Sequence, residues 1–318
     1  MRFAKGHGTG NDFVILPDPD NDLDLTAALV ARMCDRHFGV GADGVLRVVR
    51  TAAVGDDAAG QQAEWFMDYR NADGSVAEMC GNGVRVFARY LIERGMAAGP
   101  ELTIATRAGT RAVRAELDGQ FTVDMGVATI FGEGEAQAGG QRLAGLAISV
   151  GNPHLACIVT QPVAAIDLDS PRVLRPAALT AGANIEVIRV LRDREVEMRV
   201  HERGSGLTLS CGTGAVAAAV AAAVWAGEWP AESAMPWTVH VPGGKLAVTP
   251  SAEASLLTGP AEIVASGELA ERWLADPADL ADRAGLADAV GPADAVGPAD
   301  PAAPADLADR ASAGLRAI

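Results

Sequence analysis

Met79-Cys80-Gly81-Asn82-Gly83 opens the apolar run Val84-Arg85-Val86-Phe87-Ala88-Arg89-Tyr90-Leu91-Ile92, and the chain repeats the arrangement once. Ser210-Cys211-Gly212-Thr213-Gly214 opens a second run, Ala215 to Trp225, 131 positions later. Each stretch reads as a tight glycine turn that delivers a cysteine to the start of a buried helix. Unpaired N–H groups and the positive end of the helix dipole gather there, and both lower a thiol's pKa and attract anions. A single Cys-Gly-x-Gly reads as a small core residue beside a helix cap. Two in matched settings read as a pair of acid/base groups facing one substrate.

The 318 residues suffice for two domains, each with its own core, and 49% hydrophobic residues mark a globular protein. A formal net charge of −15 argues against nucleic acid and anionic membrane as partners. The four cysteines, Cys34, Cys80, Cys157 and Cys211, stand far apart and in no metal-ligand spacing, so no metal is expected. Cys34 and Cys157 lie in apolar runs and read as inert core residues. The amino end, Met1 to His7, has no apolar signal core, and the Ala215–Trp225 run is too short to span a membrane. A reducing cytoplasm is the expected location.

Around the two cysteine stretches the chain reads as short strands and turns. Gly6 to Asp12 reads as a glycine-rich turn ending in strand Phe13–Leu16, and His37 to Gly44 as another, leading into strand Val45–Val49. Leu25 to Arg36 carries helical periodicity, and positions 51–63 read as an exposed loop. Further strands are expected at Trp65–Tyr69, Leu102–Ala105, Arg111–Leu117, Phe121–Met125, Leu143–Val150, Asn184–Ile188, Val196–Val200, Trp237–Val241, Leu246–Val248 and Glu262–Ala265. Gly151-Asn152-Pro153-His154 sets a histidine at the head of an apolar strand, and Glu202-Arg203 places a charged pair before the second cysteine helix. In isolation these read as a structural histidine and an exposed ion pair. After residue 275 the octapeptide Pro-Ala-Asp-Leu-Ala-Asp-Arg-Ala occurs at 277–284 and again at 304–311. Residues 275–318 therefore read as a low-complexity, acidic, disordered tail outside the catalytic unit.

Two cysteines suit one reaction in particular. Taking a proton from one face of a carbon and returning one to the other inverts a stereocentre, and a thiolate and a thiol exchange roles each turnover. The Cα–H of an amino acid is a very weak acid, so the developing carbanion needs preorganised N–H donors, which two helix N-termini supply. Pyridoxal phosphate, the usual electron sink, attaches through a lysine. The chain has two, Lys5 and Lys245, neither in a phosphate-cradling context, so no cofactor is expected.

Five motifs in order resemble the diaminopimelate epimerase family: Asn71-Ala72-Asp73-Gly74-Ser75, Met79 to Gly83, Gly151 to His154, Glu202-Arg203-Gly204 and Ser210 to Gly214, within a similarity running from the segment Phe3 to Phe13 to about Val264. The resemblance implies an α/β (α+β) fold of two pseudo-symmetric domains, each a curled, mostly antiparallel sheet or barrel around a central helix. Residues 1–127 would form the first, rejoined by the strand near 258–274, and 128–257 the second. It implies a cofactor-independent isomerase interconverting LL- and meso-2,6-diaminopimelate in lysine and peptidoglycan-precursor biosynthesis, acting as a cytoplasmic homodimer on a small molecule. Cys80 and Cys211 would be the acid/base pair, with Cys211 the acceptor in the LL-to-meso direction. His154 and Glu202 would assist proton transfer and hold the reacting amine. Asn11, Asn71, Asn152, Asn184 and Arg203 would bind substrate, and the N–H groups of Gly81-Asn82 and Gly212-Thr213 would cradle its carboxylate.

Two positions depart from the pattern. Gly44 stands where some members carry a substrate-touching glutamine, and Leu207 where a glutamate is expected. The competing readings are a proline racemase or hydroxyproline epimerase, which favour histidine where this chain has Asn82, and an isomerase of the phenazine-biosynthesis type, which lacks the cysteine pair. A non-catalytic amino-acid binder has no need of two thiols, and a thiol redox protein has no need of the asparagines.

Overall fold

Thr9 and Gly10, at φ 51° and 81°, reverse the chain between β1 (Arg2–Gly8) and β2 (Asn11–Pro17), the sign of φ a two-residue hairpin turn requires. The glycine-rich run expected to be one long turn is therefore mostly strand. Gly6 belongs to β1 for a different reason: a Cβ there would lie 2.7 Å from the Glu262 carbonyl oxygen and 2.9 Å from Val86. The glycines serve close approach, not reversal.

The computed structural model describes residues 1–180, 182–230 and 235–275; the tail expected to be disordered lies, from residue 276, outside the described residues. After β2 come α1 (Ala27–Cys34), β3 (Gly44–Arg50), β4 (Trp65–Asn71), α2 (Gly81–Glu93), β5 (Glu101–Ala105), β6 (Arg111–Ala115) and β7 (Phe121–Asp124). Then follow β8 (Thr129–Ala138), β9 (Gln141–Ser149), β10 (Pro153–Ile158), β11 (Arg172–Arg175), β12 (Asn184–Arg192), β13 (Glu195–Glu202) and β14 (Gly206–Thr208). The rest are α3 (Gly212–Trp225), β15 (Trp237–Val241), β16 (Gly244–Pro250), β17 (Ser255–Gly259), β18 (Glu262–Glu268) and α4 (Glu271–Leu274). β8, β11, β14 and β17 were not expected. The stretch 51–63, expected as an exposed loop, forms two short 3-10 turns, and Ala58 and Ala63 are buried.

Strand pairing repeats. From β1 to β7, successive neighbours pair antiparallel, parallel, antiparallel, parallel, antiparallel and antiparallel. β9, β10, β12, β13, β15, β16 and β17 follow the same order. In each series the second parallel step is the crossover that carries a cysteine helix: α2 between β4 and β5, α3 between β13 and β15. The two series join through β7 and β17, with Val123 opposite Leu257. β8 adds to the head of the second series at β9, and β18 to the head of the first at β1. The sheet is mostly antiparallel, as expected.

Each series curls around one helix. α2 packs against β1, β2, β6, β7 and β18, and α3 against β10, β12, β13, β15 and β16. α2 buries Val84, Val86, Phe87, Ala88, Tyr90 and Leu91, while α3 is alanine and valine on all sides and buried from Gly212 to Ala223. A helix apolar all round belongs in a core. Both helices share one hydrophobic cluster with Phe13, Ile15, Leu46, Ile104, Val123, Val200, Val239 and Leu257. Met1–Leu269 is one compact unit; of the second, which starts at Ala270, α4 is described. Among the described residues no helix is long and apolar enough to cross a membrane.

Candidate active site

Both cysteines are helix N-caps. Cys80 (φ −142°, ψ 120°) and Cys211 (φ −126°, ψ 120°) are extended, and each sulfur accepts the N–H of the third residue on, Gly83 or Gly214, at 3.4 Å. Sulfur occupies the seat a Ser or Asp oxygen usually fills. The glycines explain the motif's spacing. A Cβ on Gly212 would lie 3.2 Å from the Gly81 Cα, so the first glycines let the two helix starts touch. A Cβ on Gly214 would lie 2.8 Å from Glu186 Oε1, and one on Gly83 would lie 3.2 Å from Leu46. Two sets of free helix N–H groups thus meet at one point.

Around Cys80, the thiol donates to Asn11 Oδ1 at 3.6 Å, and that oxygen also accepts from Asn82 Nδ2 at 3.2 Å. Asn11 is oriented from behind, its Nδ2 donating to Asp43 Oδ2 at 2.8 Å. Asp43 is in turn held by Arg36 at 2.7 Å, and Arg36 also pairs with Asp12 at 2.8 Å. Asn82 ties the two halves together, donating to the Ser210 carbonyl at 3.1 Å and accepting from Arg85 at 2.8 Å.

Cys211 sits among acids. Its sulfur lies 3.5 Å from Thr213 Oγ1, and the charge of the Glu202 carboxyl, which accepts from Thr208 at 2.5 Å, acts on it. His154 and Glu186, both fully buried, pair at 2.7 Å through Nδ1, and His154 Nε2 lies 2.9 Å from Asn152 Oδ1. The second Glu186 oxygen has no hydrogen-bond partner among the described residues. Burial pushes both helix-cap thiols up, Cys80 to about 11 and Cys211 well above the usual thiol value. At Cys80 the Gly83 N–H pulls back, Glu202 pushes further, and the Asn82 N–H and then Arg85 pull back; at Cys211 Glu202 and Glu186 push further, against hydrogen bonds from Thr213 and the Gly214 N–H. Burial likewise raises Glu202, against the hydrogen bonds from Thr208 and Cys211. Tyr69 is pushed up by burial and by the charges of Cys80, Glu202, Asp43 and Cys211.

Of the residues expected at the site, Asn11, Cys80, Gly81 and Asn82 meet Gly212 across the helix starts, and Cys211, Thr213 and Glu202 form one group. His154 and Asn152 form a second group through Glu186. Asn184 reaches its neighbour by accepting the Arg203 N–H at 2.9 Å. Asn71 stands apart, its amide donating to Ser75 at 3.0 Å. Gly44 leaves no room for a larger side chain as the backbone stands: a Cβ would lie 2.5 Å from the Arg70 carbonyl and 2.8 Å from Tyr69. Leu207 lies exposed on β14. Sequence reading missed Asp43, Tyr69, Arg85 and Glu186. A charged residue inside an apolar run, as Arg85 and Glu186 both are, was the available signal. Cys34 and Cys157, expected to be inert, are buried, and burial pushes each up to about 12.

Residues 3–131 and 146–264 match the family model described as diaminopimelate epimerase. The chain is similar to the diaminopimelate epimerase of Thermobifida fusca strain YX, 58% identical over 274 residues covering 85% of this chain and 98% of that one. It is 49% identical to that of Mycolicibacterium vanbaalenii over 292 residues, 86% of this chain and 99% of the relative. Among solved structures, a hydroxyproline epimerase from Agrobacterium vitis with bound trans-4-hydroxy-L-proline shares the fold, with a TM-score of 0.62 at 15% identity over 87% of this chain and 94% of that one. With a family match across most of its length, and relatives that identical end to end, the chain belongs to the diaminopimelate epimerase family.

Proposed function

We propose that this protein interconverts LL- and meso-2,6-diaminopimelate by proton transfer between two cysteines, without a cofactor. One observation carries the reading: two cysteine-capped helix N-termini meet at Gly81 and Gly212 in a chain of this family. One thiolate takes the Cα proton, and the electron pair delocalises toward the carboxylate. That carboxylate is met by the N–H groups of Gly81, Asn82, Gly212 and Thr213, whose helix dipoles favour added negative charge. The other thiol then delivers its proton to the opposite face, and the negative charge ends on its sulfur. Glu202 and His154 hold the reacting amine, while Asn11, Asn71, Asn152, Asn184 and Arg203 measure the distal end of the substrate. The Arg203 guanidinium is exposed, with no ion pair among the described residues, and suits a distal carboxylate. The two pairing series are read as two domains, 1–127 with the strand near 258–274, and 128–257. The working form is read as a cytoplasmic homodimer.

Proton NMR with LL-diaminopimelate in deuterated, reducing buffer tests this, with L-proline in parallel. Deuterium is expected at the α position as meso product forms, with proline untouched. Cys80→Ala and Cys211→Ala are each expected to lower the rate by about 10³-fold or more, as loss of an acid/base partner does. Exchange on proline alone would move the substrate to the ring amino acids and keep the two thiols.

A further inference from the structure

Arg85 is the largest fully buried side chain of the described residues, and every partner of its guanidinium is neutral. It donates to the Gly81 carbonyl at 3.3 Å, Asn82 Oδ1 at 2.8 Å, Thr9 Oγ1 at 3.4 Å and the Pro260 carbonyl at 3.3 Å. No carboxylate lies within ion-pair distance among the described residues. A buried cation without an anion is strongly unfavourable unless something completes it. The group across the network is Cys80: Arg85 holds Asn82, Asn82 donates to Asn11 Oδ1, and the Cys80 thiol donates to the same oxygen. Loss of the thiol proton supplies the missing anion: the sulfur keeps the Gly83 N–H at 3.4 Å, while Asn11 Oδ1, an acceptor, opposes the thiolate, so the anion rests on the Arg85 charge and the helix N–H groups.

The charged and titratable surroundings of the two thiols differ. Cys80 has around it Arg85 and two N–H groups of its own helix, Asn11 backed by Asp43 from the β2 side, Glu202 on β13 and Tyr69 on β4, a phenol that the charge of Cys211 also acts on. Behind Asp43 stand Arg36, Asp12 and Lys5. Cys211 faces Glu202 and Glu186, with His154 paired to the latter, and no arginine or lysine among them. Cys80 is also partly exposed, whereas Cys211 is 5% exposed. We infer that Arg85 is a positioning residue of the two-thiol reaction: its buried guanidinium stabilises the Cys80 thiolate, so that when the pair shares one proton that proton resides on Cys211. In this form the Cα proton passes to the Cys80 sulfur, the electron pair stays on the substrate, and the Cys211 S–H proton goes to the opposite face. Each completed turnover leaves the reverse form.

This rests on the two-cysteine reading, and the test separates the two. The full-length, reduced, substrate-free protein is treated with limiting iodoacetamide at roughly pH 6 to 11, and mass spectrometry follows Cys80 and Cys211 separately; the midpoint of each pH profile, not its height, is read. Cys80 is expected to have the lower midpoint. Arg85→Met is expected to raise the Cys80 midpoint by about one unit or more, a tenfold fall in alkylation rate below it, while leaving that of Cys211 in place. Arg85→Lys keeps the charge and is expected to restore most of the difference. A reversed order in the wild type, or an unmoved Cys80 midpoint in folded Arg85→Met, overturns the inference. Should Arg85→Met not fold, the neutral Arg85→Gln takes its place, and an unmoved Cys80 midpoint there overturns the inference equally. Epimerisation surviving in Cys80→Ala or Cys211→Ala overturns the two-thiol reading instead.

Discussion

A single methyl group at Gly212 tests whether contact between the helix starts matters. The added Cβ would lie 3.1 Å from Leu257 Cδ2 and 3.2 Å from the Gly81 Cα, and neither a fully buried leucine nor a helix backbone gives way freely. Gly212→Ala is therefore expected to cost about 1–3 kcal/mol of stability, as overpacking does. It is also expected to lower kcat/KM by about tenfold or more, because it wedges apart the donors that meet the carboxylate. Thermal denaturation and the deuterium-exchange assay measure the two effects, and an unchanged kcat/KM would remove the helix contact from the mechanism. The glycine was legible in the sequence as part of a matched motif; the reason for it was not, since the partner that forbids a side chain lies 131 positions away. The same holds for Arg85 and Glu186, charges visible inside apolar runs, since Thr9 and Pro260 come to Arg85, and His154 to Glu186, from other parts of the chain.

At the scale of elements, one ion cluster fixes the hairpin that presents Asn11. Asp12 on β2 pairs with Lys5 on β1 at 2.7 Å and with Arg36 after α1 at 2.8 Å, and Lys5 also bonds the Gly41 carbonyl. Burial opposes the Asp12 charge, but hydrogen bonds from Arg36 and Lys5 outweigh it and lower its pKa from 3.8 to about 2. A carboxyl depressed in the folded state adds stability that is fully present above its unfolded pKa and is lost as pH falls through the folded one. Asp12→Asn is thus expected to cost about 2 kcal/mol at neutral pH, from a shift of nearly two units. That gap from the wild type should close between about pH 4 and pH 2, as followed by denaturant midpoints across pH. A gap that stays constant across that range would assign the loss to geometry instead of charge. The strands missed from sequence share a cause. β8 carries glycine and glutamate, residues depleted in strands, and β11, β14 and β17 are short and border proline or glycine. Pairing partners, not propensity, make them strands.

At the scale of the whole molecule, the chain closes its first half with the last of the described strands. β18 pairs with β1 from Arg2 opposite Glu268 to His7 opposite Glu262, and the residues leading into it anchor α2. The Pro260 carbonyl accepts from Arg85 and the Ala261 carbonyl from Arg89 at 3.0 Å. Every expected site residue, and every paired strand among the described residues, lies before Leu269. Two truncations then have opposite expected outcomes. A chain ending at Ala275 keeps β18 and is expected to retain kcat/KM and Tm close to those of the full chain. One ending at Pro260 loses β18, leaves β1 with an unpaired edge and exposes the α2 face beneath it, and is expected not to fold, read as lost cooperative unfolding in circular dichroism. The low-complexity sequence after 275 announced itself by repetition, whereas the return of a strand near 258–274 to the amino-terminal half was expected only from the family resemblance, because pairing between strands so far apart in sequence leaves no local signature. If the chain ending at Ala275 loses activity while keeping its Tm, the acidic repeats take part in turnover, and the boundary of the catalytic unit moves beyond β18.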